Sequence, residues 1–501
     1  RNPKDKSNTH WLGWGLMVSI VGSIGLKLII PMSSPSNYSP LLQQTVEHAL
    51  AYLESLPQAA VGATATLEQL RERLGHPLPE GPHDPSKVIQ QLVSDVEGGL
   101  TGNTGGRFFA WVIGGSVPAA LAADWLTSTW DQNSGMFAVA PAAAVVEEVC
   151  GRWLLELLDL PDNASFALVT GCQMAHVTCL GAARNAVLAK HGWDVEQKGL
   201  FGAPPIRVVT GDQRHGTIER ALRVLGMGRD CLVDIPVEAN GQLSAAALEP
   251  VLAAHPDTPT ILLLQAGDLN TGSFDPYLDL IPLAHEHGAW VHVDGAFGLW
   301  AAASPEHRHY VAGVDKADSW ATDGHKWLNV PYDCGYAFVA DRNAHYRSLA
   351  HHANYLTHSH VARDQVDWNP EYSRRGRGFA TYAAIASLGR DGIAQIVSEC
   401  CRHAHAIVTE AGKLSQVQVL HVPHINQGLL RFLDLKSNAT EADHERRTEE
   451  VTAKIVASGE AMFACTTWRG IRCMRVSVSG WQTNDDDVAR TVRAIAKALA
   501  T

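Results

Sequence analysis

From about Gly106 onward the chain alternates short runs of β-branched and other apolar residues with longer stretches of helical spacing. This alternation restricts the fold more than any other feature. The spacing predicts strands at 167–170, 206–210, 260–265, 290–294, 319–322 and 335–340, and helices at 175–191, 217–225, 276–287 and 377–388. Strands that are apolar throughout are buried on both faces. With helices between them they form a mostly parallel sheet covered on both sides, an α/β fold. Ligands of such sheets bind at the carboxyl ends of the strands. Before this region, residues 38–74 carry apolar positions at helical spacing (Leu42, Val46, Leu50, Leu53), and 76–88, rich in Pro, Gly and His, read as a linker. After about residue 392, amphipathic helices alternate with strands near 428–432 and 472–479, as in a smaller α+β domain. The expected organisation is thus an extension at 1–37, a helical segment at 38–105, a large domain at 106–391 and a small domain at 392–501.

Charge and cysteine usage narrow the function. A formal charge of −12 offers no basic face for a nucleic-acid backbone. The nine cysteines form no CxxC pair and no zinc spacing, which fits reduced thiols in the cytoplasm. His351, His352, His358 and His360 cluster without a carboxylate at ligand spacing, so no metal site is expected. Trp11 to Ile30 is uncharged except for Lys27. Three readings stand for it: translated sequence ahead of a start at Met32, a membrane anchor, or a disordered extension. A membrane is a partner only in the second.

Two strand ends carry the chemistry. Asp294 closes the apolar run Trp290-Val291-His292-Val293, and Lys326 stands in Asp323-Gly324-His325-Lys326-Trp327 just after another strand. A buried carboxylate without a cationic partner is expensive. A pyridinium ring supplies that partner, and a nearby lysine can hold an aldehyde. Together they describe a site for pyridoxal 5'-phosphate. Alone, Lys326 reads as a surface lysine after a turn and Asp294 as a helix cap. The turn Thr170-Gly171-Cys172-Gln173 joins a strand to a long helix, where free N–H groups and the helix dipole favour a phosphate.

These segments, with Asp212–Gly226, resemble the group II pyridoxal phosphate-dependent amino-acid decarboxylases, the family of the aromatic-L-amino-acid and glutamate decarboxylases. The resemblance runs from about residue 40 to the C-terminus. It implies the fold-type I, aspartate-aminotransferase-like architecture, a homodimer, and decarboxylation of an L-amino acid to its amine. Lys326 would carry the cofactor and Asp294 would hold its ring nitrogen. His215 would stack on the ring and meet the substrate carboxylate, Ala296 would take the opposite face, and His325 would sit near the phosphate with Gly171, Cys172 and Gln173. Tyr355, in Asn354-Tyr355-Leu356, resembles the lid tyrosine that returns a proton after carbon dioxide leaves. Phenylalanine there accompanies oxidative deamination in related enzymes. Phe108, Phe109 and Trp111 match a segment lining the substrate cavity, although core packing accounts for them equally. Arg374, Arg375 and Arg377 offer either a clamp for an acidic substrate or pairs with interface acids. His215 and His325 also read as helix-cap or core histidines, and Tyr355 as a loop anchor. The chain departs from the family at Gln173, Met174 and His176, where Ser, Gly or Thr followed by Glu-Ala-Asn is usual, and at Gly267-Asp268-Leu269, where Gly-Thr-Thr is common. Asp275 matches. Another fold-type I reaction (transamination, oxidative deamination or carbon–sulfur cleavage) or a catalytically silent relative remain as rivals.

Overall fold

The structure is a computed structural model that describes residues 38–351 and 362–500. Its centre is a seven-stranded sheet built from β1 (Ser165–Val169), β2 (Arg207–Gly211), β3 (Leu232–Ile235), β4 (Thr260–Gln265), β5 (Trp290–Asp294), β6 (Ser319–Asp323) and β7 (Gly335–Val339). The order is β1-β7-β6-β5-β4-β2-β3. Only β7 runs against its neighbours, β1 and β6; the remaining pairs are parallel. Strands β1, β4, β5, β6 and β7 are buried at every position, which is why they are apolar at successive rather than alternate residues. The helix Cys172–Lys190 covers one face, packing Leu180, Ala183 and Val187 into a core with Val169, Val208 and Leu263. A larger core fills the other face, around Leu264, Trp300 and Trp327. The fold expected from the alternation of elements is the fold found.

Four local differences have physical causes. β3 was not expected: it is a four-residue edge strand with Asp234 pointing to solvent, too short and too polar to read as buried. The helix expected at 377–388 continues as Gly378–Ala411, bending where Gly389 takes φ 60°, and it runs through residue 391–392. The helical stretch expected over 38–74 is two helices, Tyr38–Ser55 and Leu67–Leu74, the second opened by a capping box between Thr66 and Gln69. Within the expected linker, Asp84 caps and Pro85 starts a further helix, Pro85–Asp95.

A second, antiparallel sheet, ordered β10-β11-β9-β8, comprises β8 (Val417–His421), β9 (Gln427–Phe432), β10 (Ala464–Trp468) and β11 (Ile471–Ser477). The helices Glu441–Ala457 and Asp485–Leu499 complete this smaller α+β layer. β11 matters for function because Arg475 reaches from it to the carboxyl ends of the large sheet. Among the described residues no helix is long and apolar enough to cross a membrane. Trp11 to Ile30, Tyr355, His352, His358 and His360 lie outside the described residues.

Candidate active site

The carboxyl ends of β1, β2, β4, β5 and β6 meet around a cavity of about 460 Å³. β5 delivers Asp294, and the turn after β6 delivers His325 and Lys326. That turn is tight because Gly324 passes against the phenol of Tyr336, where a Cβ would collide. The Lys326 amine lies 3.1 Å from Asp323 Oδ2. Burial alone would lower its basicity, but the carboxylates of Asp323 and Asp294 outweigh burial and keep it an ammonium. Asp294 shows the complementary balance. Burial pushes its carboxyl up, yet His176, His215 and Lys326 more than compensate and hold it well below the usual carboxylate range. An anion and an amine thus face one cavity.

His325 is fixed by its surroundings. The Cys334 backbone N–H donates to its Nδ1 (3.1 Å), so its Nε2 carries the proton toward Asp323 Oδ1 (3.3 Å). Tyr332 stacks on its ring at 4.1 Å. His215 caps the helix Gly216–Val224, its Nδ1 accepting from the Thr217 backbone N–H, and also forms part of the cavity wall. The capping and cavity roles coexist in one side chain. Ala296 sits in the wall between Asp294 and Phe297, and its N–H donates to Asp294 Oδ1 at 3.2 Å.

The phosphate end differs from expectation. Of the amides that begin the helix Cys172–Lys190, that of Cys172 donates to Asp323 Oδ1 (2.5 Å), and those of Met174 and Ala175 turn back to Gly171. The helix start therefore offers fewer free backbone donors than the turn implied. Gln173 compensates: it belongs to the cavity wall, and its Nε2 is buried with no partner among the described residues. An orphaned donor, an amine, a buried carboxylate and a helix N-terminus fit an anionic pyridine aldehyde such as pyridoxal phosphate. The closeness of β7 to this turn gives a test. A Cβ on Gly335 would lie 2.5 Å from Gly171 Cα, a backbone contact that no side-chain rotation relieves. Gly335→Ala should displace the turn, cost about 1–3 kcal/mol of stability and weaken cofactor binding roughly tenfold or more. Denaturant melts and cofactor titration measure the two effects; wild-type values in both would contradict this packing.

The expected substrate residues part company. Trp111 lines the cavity, half exposed, in a turn where it and Val112 hold left-handed φ of 56° and 57°, uncommon for such side chains. Phe109 does not reach the cavity: its ring is fully buried against Phe463, 5.4 Å between centroids. The left-handed turn at Trp111 and Val112 swings Trp111 away from the face that buries Phe109, so only one of the two is core. Arg375 is not at the site either, pairing instead with Asp124 at 2.7 Å. Arg374 is buried against Glu147 (2.9 Å), and Arg377 pairs with Asp333 (2.8 Å). Asp268, the departure in the 267–269 loop, caps its own turn by accepting from the amides of Asn270, Thr271 and Ser273. Asp275 ties Leu243 N to Gln265 N, both at 2.8 Å, behind the site.

Sequence reasoning missed Arg475 and Tyr332, both in the cavity wall. Arg475 donates to the Leu269 carbonyl (3.0 Å), and among the described residues no carboxylate lies within ion-pair distance of it. An arginine within the otherwise apolar run Cys473–Val476 was the available signal. Cys172, His176 and Asp294 place a thiol, an imidazole and a carboxylate within 4.8 Å of one another. Their mutual hydrogen bonds account for the grouping.

Known proteins place this geometry. The aromatic-L-amino-acid decarboxylase of Bacillus atrophaeus is 25% identical over 466 residues, covering 91% of this chain and 94% of the relative. The L-2,4-diaminobutyrate decarboxylase of Rhizobium meliloti (strain 1021) is 26% identical over 387 residues, covering 76% and 75%. The crystal structure of Oryza sativa TDC with PLP and tryptamine superposes with a TM-score of 0.88 at 23% identity, over 94% of this chain and 99% of that one, and so shares the fold. Residues 68–436 match the pyridoxal-dependent decarboxylase conserved domain. The chain therefore belongs to the pyridoxal-dependent decarboxylase family, and it is a pyridoxal phosphate-dependent carboxy-lyase.

Proposed function

We propose that this enzyme removes the α-carboxylate of an L-amino acid with Lys326 as the cofactor-bearing residue and Asp294 as the partner of the ring nitrogen. The observation that carries the reading is the placement of a buried anion on β5 and an amine after β6 on one cavity. Bound pyridoxal phosphate supplies a protonated ring that accepts the electron pair of the breaking Cα–carboxylate bond. The chain does the rest. Asp294, held ionised, keeps a proton at the ring nitrogen. Ala296 and His215 bound the space on either side of a flat ring, and Gln173, Gly171, Cys172 and His325 form its phosphate end. Arg475, which has no acidic partner among the described residues, takes a carboxylate of the substrate, and Trp111 meets its side chain. Carbon dioxide release across a panel of L-amino acids, including aromatic ones and 2,4-diaminobutyrate, tests the reaction. One amine per carbon dioxide is expected; oxo acid without carbon dioxide would overturn it.

Tyr355 is assigned the proton returned to Cα, on the match of Asn354-Tyr355-Leu356 to the family's lid. Tyr355→Phe should lower amine output and divert product, in the presence of oxygen, to aldehyde, ammonia and hydrogen peroxide. Unchanged amine output would pass the role to His215. The enzyme works as a homodimer in the cytoplasm. Support comes from the helix Tyr38–Ser55, which buries none of its residues and leaves Leu42 and Leu50 exposed, as Leu92 and Leu100 of the following segment are, and from nine free cysteines. Sedimentation equilibrium should give twice the chain mass; a monomer holding active cofactor would exclude the dimer.

A further inference from the structure

Behind Asp294 a line of buried polar groups leads away from the cavity. His176 Nε2 lies 3.5 Å from Asp294 Oδ2, and its Nδ1 lies 3.0 Å from His292 Nε2. His292 Nδ1 lies 2.9 Å from Ser319 Oγ, which accepts from Trp290 Nε1 at 2.9 Å. All of these groups except Asp294's rim are fully enclosed.

The direction of the protons follows from donor arithmetic. The indole N–H only donates and an ionised carboxylate only accepts. Trp290 therefore donates to Ser319 Oγ; with the Ser319 O–H donating to His292 Nδ1, His292 Nε2–H donates to His176 Nδ1, and His176 Nε2–H lies between Asp294 Oδ2 at 3.5 Å and Cys172 Sγ at 3.4 Å. Burial holds His292 down to about 3, so it stays neutral. The group beside Asp294 is thus an imidazole that is itself held from behind by His292.

We propose that His176, locked by His292 and Ser319, is a positioning residue that keeps Asp294 ionised and aimed at the cofactor ring across the working pH range. The proposal rests on the reading of Asp294 as the ring-nitrogen partner. The other charged or titratable groups facing this corner are Cys172 from the same helix, His215 from the helix after β2, and Lys326 and Asp323 from the turn after β6. None of them replaces the lost donor. Cys172, whose thiol burial and the two carboxylates push well up, is 3.8 Å from Asp294 Oδ1 and stays an S–H. Without His176, burial of Asp294 is opposed less strongly, by His215, Lys326 and the Ala296 N–H. Its carboxyl then protonates as the pH falls, and the ring loses its anion.

The experiment is a titration of apoenzyme with pyridoxal phosphate, followed by absorbance and intrinsic fluorescence, between about pH 6 and pH 8.5. His176→Ala should bind about tenfold or more weakly at the acid end and approach wild type at the alkaline end. His176→Asn, which restores a non-titrating donor, should recover both affinity and pH profile. Ser319→Ala, which only frees the tautomer of His292, should shift the profile in the same direction by less. A His176→Ala loss that is equal at both ends marks a packing role and overturns the proposal, as does failure of His176→Asn to recover the profile. If His176→Ala does not fold, a wild-type profile in Ser319→Ala overturns it. Asp294→Asn separates the two readings. If it binds like wild type, the reading of Asp294 has failed. If it binds weakly while His176→Ala binds normally at every pH, the relay alone has failed.

Discussion

Lys326→Ala should lose at least about a thousandfold in carbon dioxide release, equivalent to about 4 kcal/mol of transition-state stabilisation, while the fold survives. The amine is 3.1 Å from Asp323 and faces the cavity, and among the described residues no other lysine belongs to the cavity wall. Asp323 keeps two partners in the variant, the Cys172 amide and His325, so the turn after β6 remains supported. The cofactor's near-visible absorbance from covalent attachment should vanish in Lys326→Ala and also in Lys326→Arg, which retains the charge. Absorbance scans with a carbon dioxide assay check both. Turnover near wild type in either variant would remove Lys326 from the chemistry.

Asp294→Asn should be nearly as damaging, with a loss of about a hundredfold to a thousandfold or more. The amide is the same size and can still receive the Ala296 N–H, so the strand end keeps its shape. What disappears is the negative charge that the imidazoles and Lys326 hold in ionised form. An amide can neither keep a pyridine nitrogen protonated nor offset its charge, and the electron sink weakens. The affected quantity is kcat, since removing the charge acts on the step in which electrons enter the ring. Steady-state kinetics on any substrate found by the panel, with circular dichroism to check folding, decides it. A normal kcat would show that the end of β5 has been misread.

The parts of the fold that could be read from sequence are those where burial leaves no ambiguity. Thr260–Gln265 and Trp290–Asp294 were expected at the bounds found, because an apolar run on a two-face-buried strand ends where the sheet meets its ligand edge. β3 escaped because an edge strand needs no such run. Lys326 and Asp294 stand out because each ends or follows a legible strand. Arg475 does not, since it arrives from a different sheet more than a hundred residues later, and no local pattern marks such an approach. Phe109 and Trp111 are two residues apart, and only the left-handed turn at Trp111 and Val112 decides which faces the cavity. His176 looked like a departure from the family motif. Its partner His292 lies on another element, so their 3.0 Å contact exists only once the helix packs on the sheet.

The central claim is that Lys326 holds the cofactor. Cofactor-saturated enzyme reduced with borohydride and then digested should give one peptide whose mass carries a reduced pyridoxyl phosphate group, and fragmentation should place that group on Lys326. The same protocol on Lys326→Arg should give no labelled peptide. A label on any other lysine, or no label on protein that demonstrably contains its cofactor, would contradict the account.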